Sequence, residues 1–171
     1  MENHMRNIIL IGFMGAGKTA VGNRLSKQLG YEYIDTDQYI EEKEGMTISN
    51  IFAEKGEEYF RNLETAVIKE LMLRDKPTIF STGGGMPLRE ENAQLLKELG
   101  VVVYLKAVAD TIYNRVKGDT KRPLLQGDDP KQKIVDLLKI RNPKYEAACN
   151  YAVCVDHKDI RTVAQEVAKL L

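Results

Sequence analysis

Residues 12–19 read "GFMGAGKT", a match to the spacing G-x-x-x-x-G-K-[ST]. Each part of that pattern has a physical use. Glycines let consecutive backbone N–H groups turn inward around phosphate oxygens. Lys18 supplies a point charge for the β and γ phosphates. Thr19 offers a hydroxyl to Mg²⁺ and opens a helix whose positive end faces the anion. The flanks agree. The apolar run "NIILIG" (7–12) precedes the loop as a strand, and Val21, Leu25 and Leu29 follow at helical spacing, with Gly30 able to end the helix. A plain glycine-rich turn with a solvated lysine is the bland alternative, and this strand–loop–helix context argues against it. The expected ATP-binding set is Gly15, Ala16, Gly17, Lys18, Thr19 and Ala20.

Beyond the loop, short apolar runs alternate with helical patterns. Further strands are expected at "YEYI" (31–34), "PTIFS" (77–81), "VVVYL" (101–105) and "YAVCV" (151–155). Ile48, Ile51 and Phe52 share a helical face, with Thr47 as N-cap. Phe60, Leu63, Val67 and Leu71 share another. Helices are expected near 89–99 and 110–117, each followed by a glycine. "DDPKQKIVDLL" begins a helix with Asp129 as cap and Pro130 in its first turn. Pro143 is expected to kink or end that helix near Asn142. A last helix carries Ile160, Val163, Val167 and Leu170. Strand–helix alternation with nearly continuous apolar strands implies an α/β protein whose parallel sheet is covered on both faces. The charged break "VKGDTKRPLLQGDDP" (116–130) stands out, because long irregular segments in compact domains are usually functional or disordered.

"YEYIDTDQYIEE" (31–42) places Asp35 and Asp37 at the carboxyl end of a strand, where ligands bind in open parallel sheets. A helix cap would use one carboxylate and leave the other unexplained. Many phosphate-loop proteins hold Mg²⁺ with an aspartate ending a second apolar strand. Here "PTIFS" runs into "TGGG" with no aspartate, so Asp35 is the candidate to complete the metal shell with Thr19.

The composition sets outer limits. The 171 residues suit one domain, and Lys plus Arg (25) balances Asp plus Glu (25). A neutral chain argues against a broad nucleic-acid footprint but leaves room for a small anionic ligand. Cys149 and Cys154 are too few for a disulfide framework and are expected to be reduced and structural. His4 and His157 show no ligand spacing with them. "NIILIGFMGAG" has something of a signal-peptide core, but its charged start is weak. No run reaches the length of a membrane span. A soluble, cytoplasmic protein is expected.

Taken together, "GFMGAGKT", "IDTDQYIEEKEGMTISNIFAEKGEEYFRNLE", "STGGG", "KRPLL" and "RNPKY", in this order, resemble the shikimate kinases over nearly the whole chain. These small kinases phosphorylate the 3-hydroxyl of shikimate with ATP. The resemblance implies a single three-layer P-loop domain (1–171) of nucleoside-monophosphate-kinase type. It implies a five-stranded parallel sheet in order 2-3-1-4-5, a substrate-binding helical segment near 36–62 and a mobile lid near 116–130. By the same resemblance Asp35 belongs to the Mg²⁺ shell and Asp37 holds the reacting hydroxyl. Arg61 and Arg141 grip the substrate carboxylate, and the backbone of Gly83, Gly84 and Gly85 approaches the substrate. Arg122 is the lid arginine that reaches phosphate, and Arg115 lies near adenine. Lys18, Asp37 and Arg122 form the catalytic set, and a monomer is the family-level expectation.

Blander readings exist for several of these residues. Arg61 can pair with Glu57 and Glu64 on its own helix, and such exposed pairs are worth only about 0.3–0.5 kcal/mol. Arg141 can be a solvated helix-end cation. "TGGG" can be a loop, although three glycines cost entropy that close approach to a ligand would explain. The rival functions are a related small-metabolite kinase, such as a gluconate kinase, and a non-catalytic nucleotide-binding module.

Overall fold

The computed structural model describes residues 6–119 and 126–171. The strands are β1 (Asn7–Ile11), β2 (Glu32–Asp35), β3 (Thr78–Ser81), β4 (Gly100–Lys106) and β5 (Tyr151–Cys154). The helices are α1 (Lys18–Leu29), α2 (Thr36–Glu44), α3 (Ile48–Lys55), α4 (Glu57–Leu71), α5 (Glu90–Leu99), α6 (Ala109–Val116), α7 (Pro130–Ala148) and α8 (Ile160–Ala168), with a 3₁₀ turn at Met86–Leu88. The five strands form one sheet in the order β2-β3-β1-β4-β5, and every neighbouring pair is parallel.

β1 is the middle strand. Ile8, Ile9, Leu10 and Ile11 are all fully buried, as an all-apolar strand covered on both faces should be. α1 and α8 pack together on one side, while α5 and α7 lie against β4 on the other. Amphipathic spacing explains these contacts: Val21 and Leu25 in α1, and Val163, Ala164 and Val167 in α8, face inward. Four of the helices start at side-chain caps. Asp35, Thr47, Asp129 and Asp159 each accept a hydrogen bond from the backbone N–H three residues on.

Pro143 does not end its helix. α7 continues through it to Ala148. Pro143 lies on the exposed side of α7, so the Lys139 carbonyl that loses its partner can turn to water. On the opposite side Tyr145 and Ala148 are fully buried, and the Tyr104 hydroxyl donates to Asn142 Oδ1 at 2.6 Å. That packing outweighs the lost backbone bond. The two cysteines are free thiols, and only Cys149 packs against the core. Cys154 is exposed on the edge strand β5, so it has no structural role in packing. No helix among the described residues is long and apolar enough to cross a membrane. Residues 120–125 of the expected lid, Arg122 among them, lie outside the described residues.

Candidate active site

The strand order determines which loops meet. β1, β3 and β2 are neighbours, so the loops leaving their carboxyl ends line up side by side. These are the 12–17 loop, the Gly83–Gly85 loop and the Asp35–Asp37 turn. β4 and β5 lie on the other side of β1 and bring α6 and the start of α8 to the same edge. The result is a cleft of about 730 Å³ that crosses the top of the sheet.

At its centre the 12–17 loop wraps around its own backbone. Gly15 and Gly17 sit at φ +76° and +100°, where an L side chain is strained. The Lys18 ammonium donates to the carbonyls of Gly12 at 2.7 Å and Phe13 at 3.0 Å. Arg115, from α6, donates through Nη1 to the carbonyls of Gly15 and Ala16, both at 3.1 Å. The Ser81 hydroxyl donates to the Lys18 carbonyl at 2.9 Å and ties the end of β3 to the start of α1. Thr19 and Ala20 line the same cleft.

The two aspartates divide their work. Asp35 caps α2, its Oδ1 accepting from the Gln38 N–H at 3.1 Å. Only one carboxylate oxygen is used that way. Asp37 sits in the first turn of α2 and faces Gly83, where an added Cβ would come within 2.4 Å of Asp37 Oδ1. Burial pushes the Asp37 carboxyl up to about 6. Repulsion from Asp35 adds to the rise, as does Glu41, while Lys18 and Arg61 oppose it. The Gly83 N–H donates to the Thr36 hydroxyl at 3.1 Å, fixing the glycine loop against the turn.

Arg61 and Arg141 meet the glycine loop at successive residues. A Cβ on Gly85 would lie 2.3 Å from Arg61 Nη1, and one on Gly84 would lie 3.6 Å from Arg141 Nη1. Gly83 and Gly85 are therefore required for room. None of the three has positive φ. The Arg141 guanidinium also lies over the Phe13 ring, 5.4 Å from its centroid.

Glu64 stands behind Arg61, in a setting that the spacing alone concealed. Its pairing with Arg61 at i,i+3 looked like a surface contact, yet Glu64 is fully buried. Arg61 Nη1 donates to Glu64 Oε1 at 2.7 Å, and Glu57 Oε1 lies 3.5 Å from Arg61 Nη2. Glu64 Oε2 is buried without a hydrogen-bond partner among the described residues. Burial pushes the Glu64 carboxyl up to about 7, against the pull of Arg61. An uncompensated carboxylate oxygen is costly in such a place, which favours the protonated form.

At the β5 end, Val155, Ile160 and Val163 give the cleft an apolar wall beside Arg115. The run after residue 155 offered no motif for them. No cluster of three or more His, Cys, Asp or Glu residues able to hold a metal occurs among the described residues. Thr19, Asp35 and Asp37 bring side-chain oxygens to the cleft, as do Ser81 and Thr82, whose hydroxyls donate to backbone carbonyls. A small set of hard oxygens suits Mg²⁺, which keeps several waters and shares phosphate oxygens instead of filling its shell from protein.

The chain is similar to known proteins over nearly its whole length. The family model for shikimate kinases matches residues 14–171. The shikimate kinase of Thermodesulfovibrio yellowstonii is 44% identical over 167 residues, covering 96% of this chain and 94% of that protein. The structure of Acinetobacter baumannii shikimate kinase in complex with shikimate superposes with a TM-score of 0.90 at 43% identity, covering 98% of this chain and 93% of that one. A gluconokinase from Sinorhizobium meliloti shares the fold, with a TM-score of 0.60 at 19% identity.

Proposed function

Since the chain belongs to the shikimate kinase family, we propose that it transfers the γ-phosphoryl group of ATP to the 3-hydroxyl of shikimate. The observation that carries this reading is the adjacency of three features on one cleft. A phosphate loop, a buried carboxyl poised near neutrality and two guanidinium groups converge at the Gly83–Gly85 loop.

In this reading the backbone from Gly15 to Ala20 cradles the phosphates, and Lys18 follows the charge on the moving group. Thr19 and Asp35 would hold Mg²⁺, which supplies charge neutralisation on the phosphate oxygens when bound. Asp37 orients the acceptor hydroxyl and takes its proton. A carboxyl at about 6 suits a base working near neutral pH. Arg61 and Arg141 grip the acceptor carboxylate, with Glu64 holding Arg61 in place. Arg115 and the apolar wall of Val155, Ile160 and Val163 would receive the base. Arg122 is assigned to phosphate from the resemblance. Catalysis then rests on positioning and charge stabilisation, with direct in-line transfer. The enzyme is proposed to act in the cytoplasm as a monomer on small molecules, with neither nucleic acid nor membrane as partner.

The test is ATP turnover with shikimate, with gluconate and with no acceptor. Turnover with shikimate alone is expected. Equal or faster turnover with gluconate would replace this reading, and none with any acceptor would leave a nucleotide-binding module.

Two predictions concern the acceptor half. Arg61→Ala and Arg141→Ala should each weaken shikimate binding by roughly 10–150-fold, the worth of a charge-assisted hydrogen bond. ATP binding measured without shikimate should barely move, and an equal fall in ATP affinity would show the arginines are misassigned. Arg61→Ala should also lose more stability than Arg141→Ala, because it strands buried Glu64. Gly85→Ala should raise the shikimate KM about 10-fold or more, since its Cβ displaces the Arg61 guanidinium and small misplacements are costly. Unfolding temperature should change little, because a side-chain end yields and not backbone. An unchanged KM would mean that Arg61 does not need its place beside Gly85.

A further inference from the structure

Tyr145 is fully buried in α7, one helical turn beyond Arg141. Its ring packs at a tilt on Tyr104, with centroids 5.1 Å apart. Its hydroxyl donates to the Gly84 carbonyl at 2.7 Å. The Arg141 guanidinium reaches the same glycine: a Cβ on Gly84 would lie 3.6 Å from Arg141 Nη1 and 3.7 Å from the Tyr145 hydroxyl, and the Arg141 charge opposes the rise that burial imposes on the phenol. A phenol has one donor and spare acceptor capacity, whereas a guanidinium only donates. The proton therefore goes to Gly84, and the oxygen keeps lone pairs able to accept from Arg141. Gly84, in the middle of the glycine loop, thus has both the Tyr145 hydroxyl and one of the two acceptor-gripping arginines beside it.

We propose that Tyr145 is a positioning residue for the acceptor: its hydroxyl holds the Gly84 backbone and the Arg141 guanidinium in one fixed relation. The inference rests on the reading of Arg141 as a carboxylate ligand of shikimate. It also explains why α7 runs on through Pro143, since a helix ending at Asn142 would not carry Tyr145 into the site. Tyr104 offers an internal control. Its hydroxyl bonds Asn142 on the same helix but touches neither Gly84 nor Arg141 in the described contacts.

The experiment compares Tyr145→Phe, Tyr104→Phe, Arg141→Ala and the Tyr145→Phe/Arg141→Ala pair. Each is examined by steady-state kinetics and by shikimate titration without nucleotide, at a temperature where unfolding scans show all four folded. Tyr145→Phe should raise the shikimate KM and Kd by about 5–30-fold, the worth of one or two polar hydrogen bonds, with ATP KM within about twofold. Tyr104→Phe should lose a similar amount of stability and leave shikimate binding unchanged. Tyr145→Phe should add little in the Arg141→Ala background, because the two act through one geometry. Equal binding losses in Tyr145→Phe and Tyr104→Phe, or full additivity with Arg141→Ala, would overturn the positioning role alone. No effect of Arg141→Ala on shikimate would overturn both this proposal and the carboxylate reading beneath it.

Discussion

Asp37→Asn is expected to cut kcat by about 10²–10⁴-fold, the usual cost of losing a general base, while making the protein more stable at neutral pH. The first effect follows from chemistry. Asparagine keeps the size and hydrogen bonds of the side chain but cannot take the hydroxyl proton. The second follows from burial. The folded protein holds the Asp37 proton up to about pH 6, above the ordinary carboxyl value of 3.8. Below that ordinary value the acid is neutral in both states and costs nothing. Between that value and about 6 only the unfolded chain ionises, so stability is lost across this window, and above it the folded state carries a buried, crowded carboxylate. Asparagine removes that loss, so the variant should gain about 1–3 kcal/mol at pH 7.5, with the gain fading towards pH 4. Wild-type kcat/KM should fall below about pH 6 as Asp37 takes up its proton. Asp35→Asn provides the contrast. It keeps its cap on α2, because asparagine caps as well as aspartate, but its activity should need more Mg²⁺ and partly recover when Mg²⁺ is raised. The decisive measurements are kcat against Mg²⁺ for both variants and unfolding scans at pH 4 and 7.5. Matching Mg²⁺ profiles, or an Asp37→Asn protein no more stable than wild type at pH 7.5, would defeat the division between the two aspartates.

Lys18→Met should lower kcat by roughly 10²–10³-fold, as removal of one preorganised charge stabiliser typically does. The loop should survive the change. Ala16 N–H still donates to the Phe13 carbonyl at 3.1 Å, and Val21 N–H to the Gly17 carbonyl at 2.9 Å. Arg115 and Ser81 brace the same loop from α6 and β3 through bonds to its backbone. Near-native unfolding temperature with lost turnover is therefore the expected pair of results. Retention of more than about a tenth of wild-type kcat would contradict the role given to Lys18.

The sheet and most helices were legible in the sequence because their signals are local. An apolar run, a cap residue and a glycine at the helix end lie within a few positions of one another, as in β1, the glycine loop and α1. The phosphate loop and the Asp35–Asp37 turn were legible for the same reason. What stayed hidden depends on distant partners. A proline at 143 reads as a stop until Tyr145 and Ala148 are seen to be buried beyond it. Glu64 reads as half of an exposed helical pair until α4 is packed in place, and only then does its carboxylate become a buried anchor for Arg61. Gly83 and Gly85 signalled close approach, but the approaching groups include the protein's own Asp37 and Arg61 side chains. The apolar wall at Val155, Ile160 and Val163 needs β5 and α8 to be brought against the phosphate loop.

Strand order also governs when the chain can fold during synthesis. β1 emerges well before its partners β3 and β4, which begin at Thr78 and Gly100. About ninety residues separate the end of β1 from the start of β4, which is roughly 4–18 s of translation at 5–20 residues per second. Until β3 emerges Ile8, Ile9, Leu10 and Ile11 have no strand to pair with, and the β4 side of β1 stays open for the whole interval. Pairing between such distant segments also closes large loops, the circumstance that slows folding most. The strand that anchors the phosphate loop is thus made early and completed late, and a nascent chain depends on shielding of that one segment until β4 arrives.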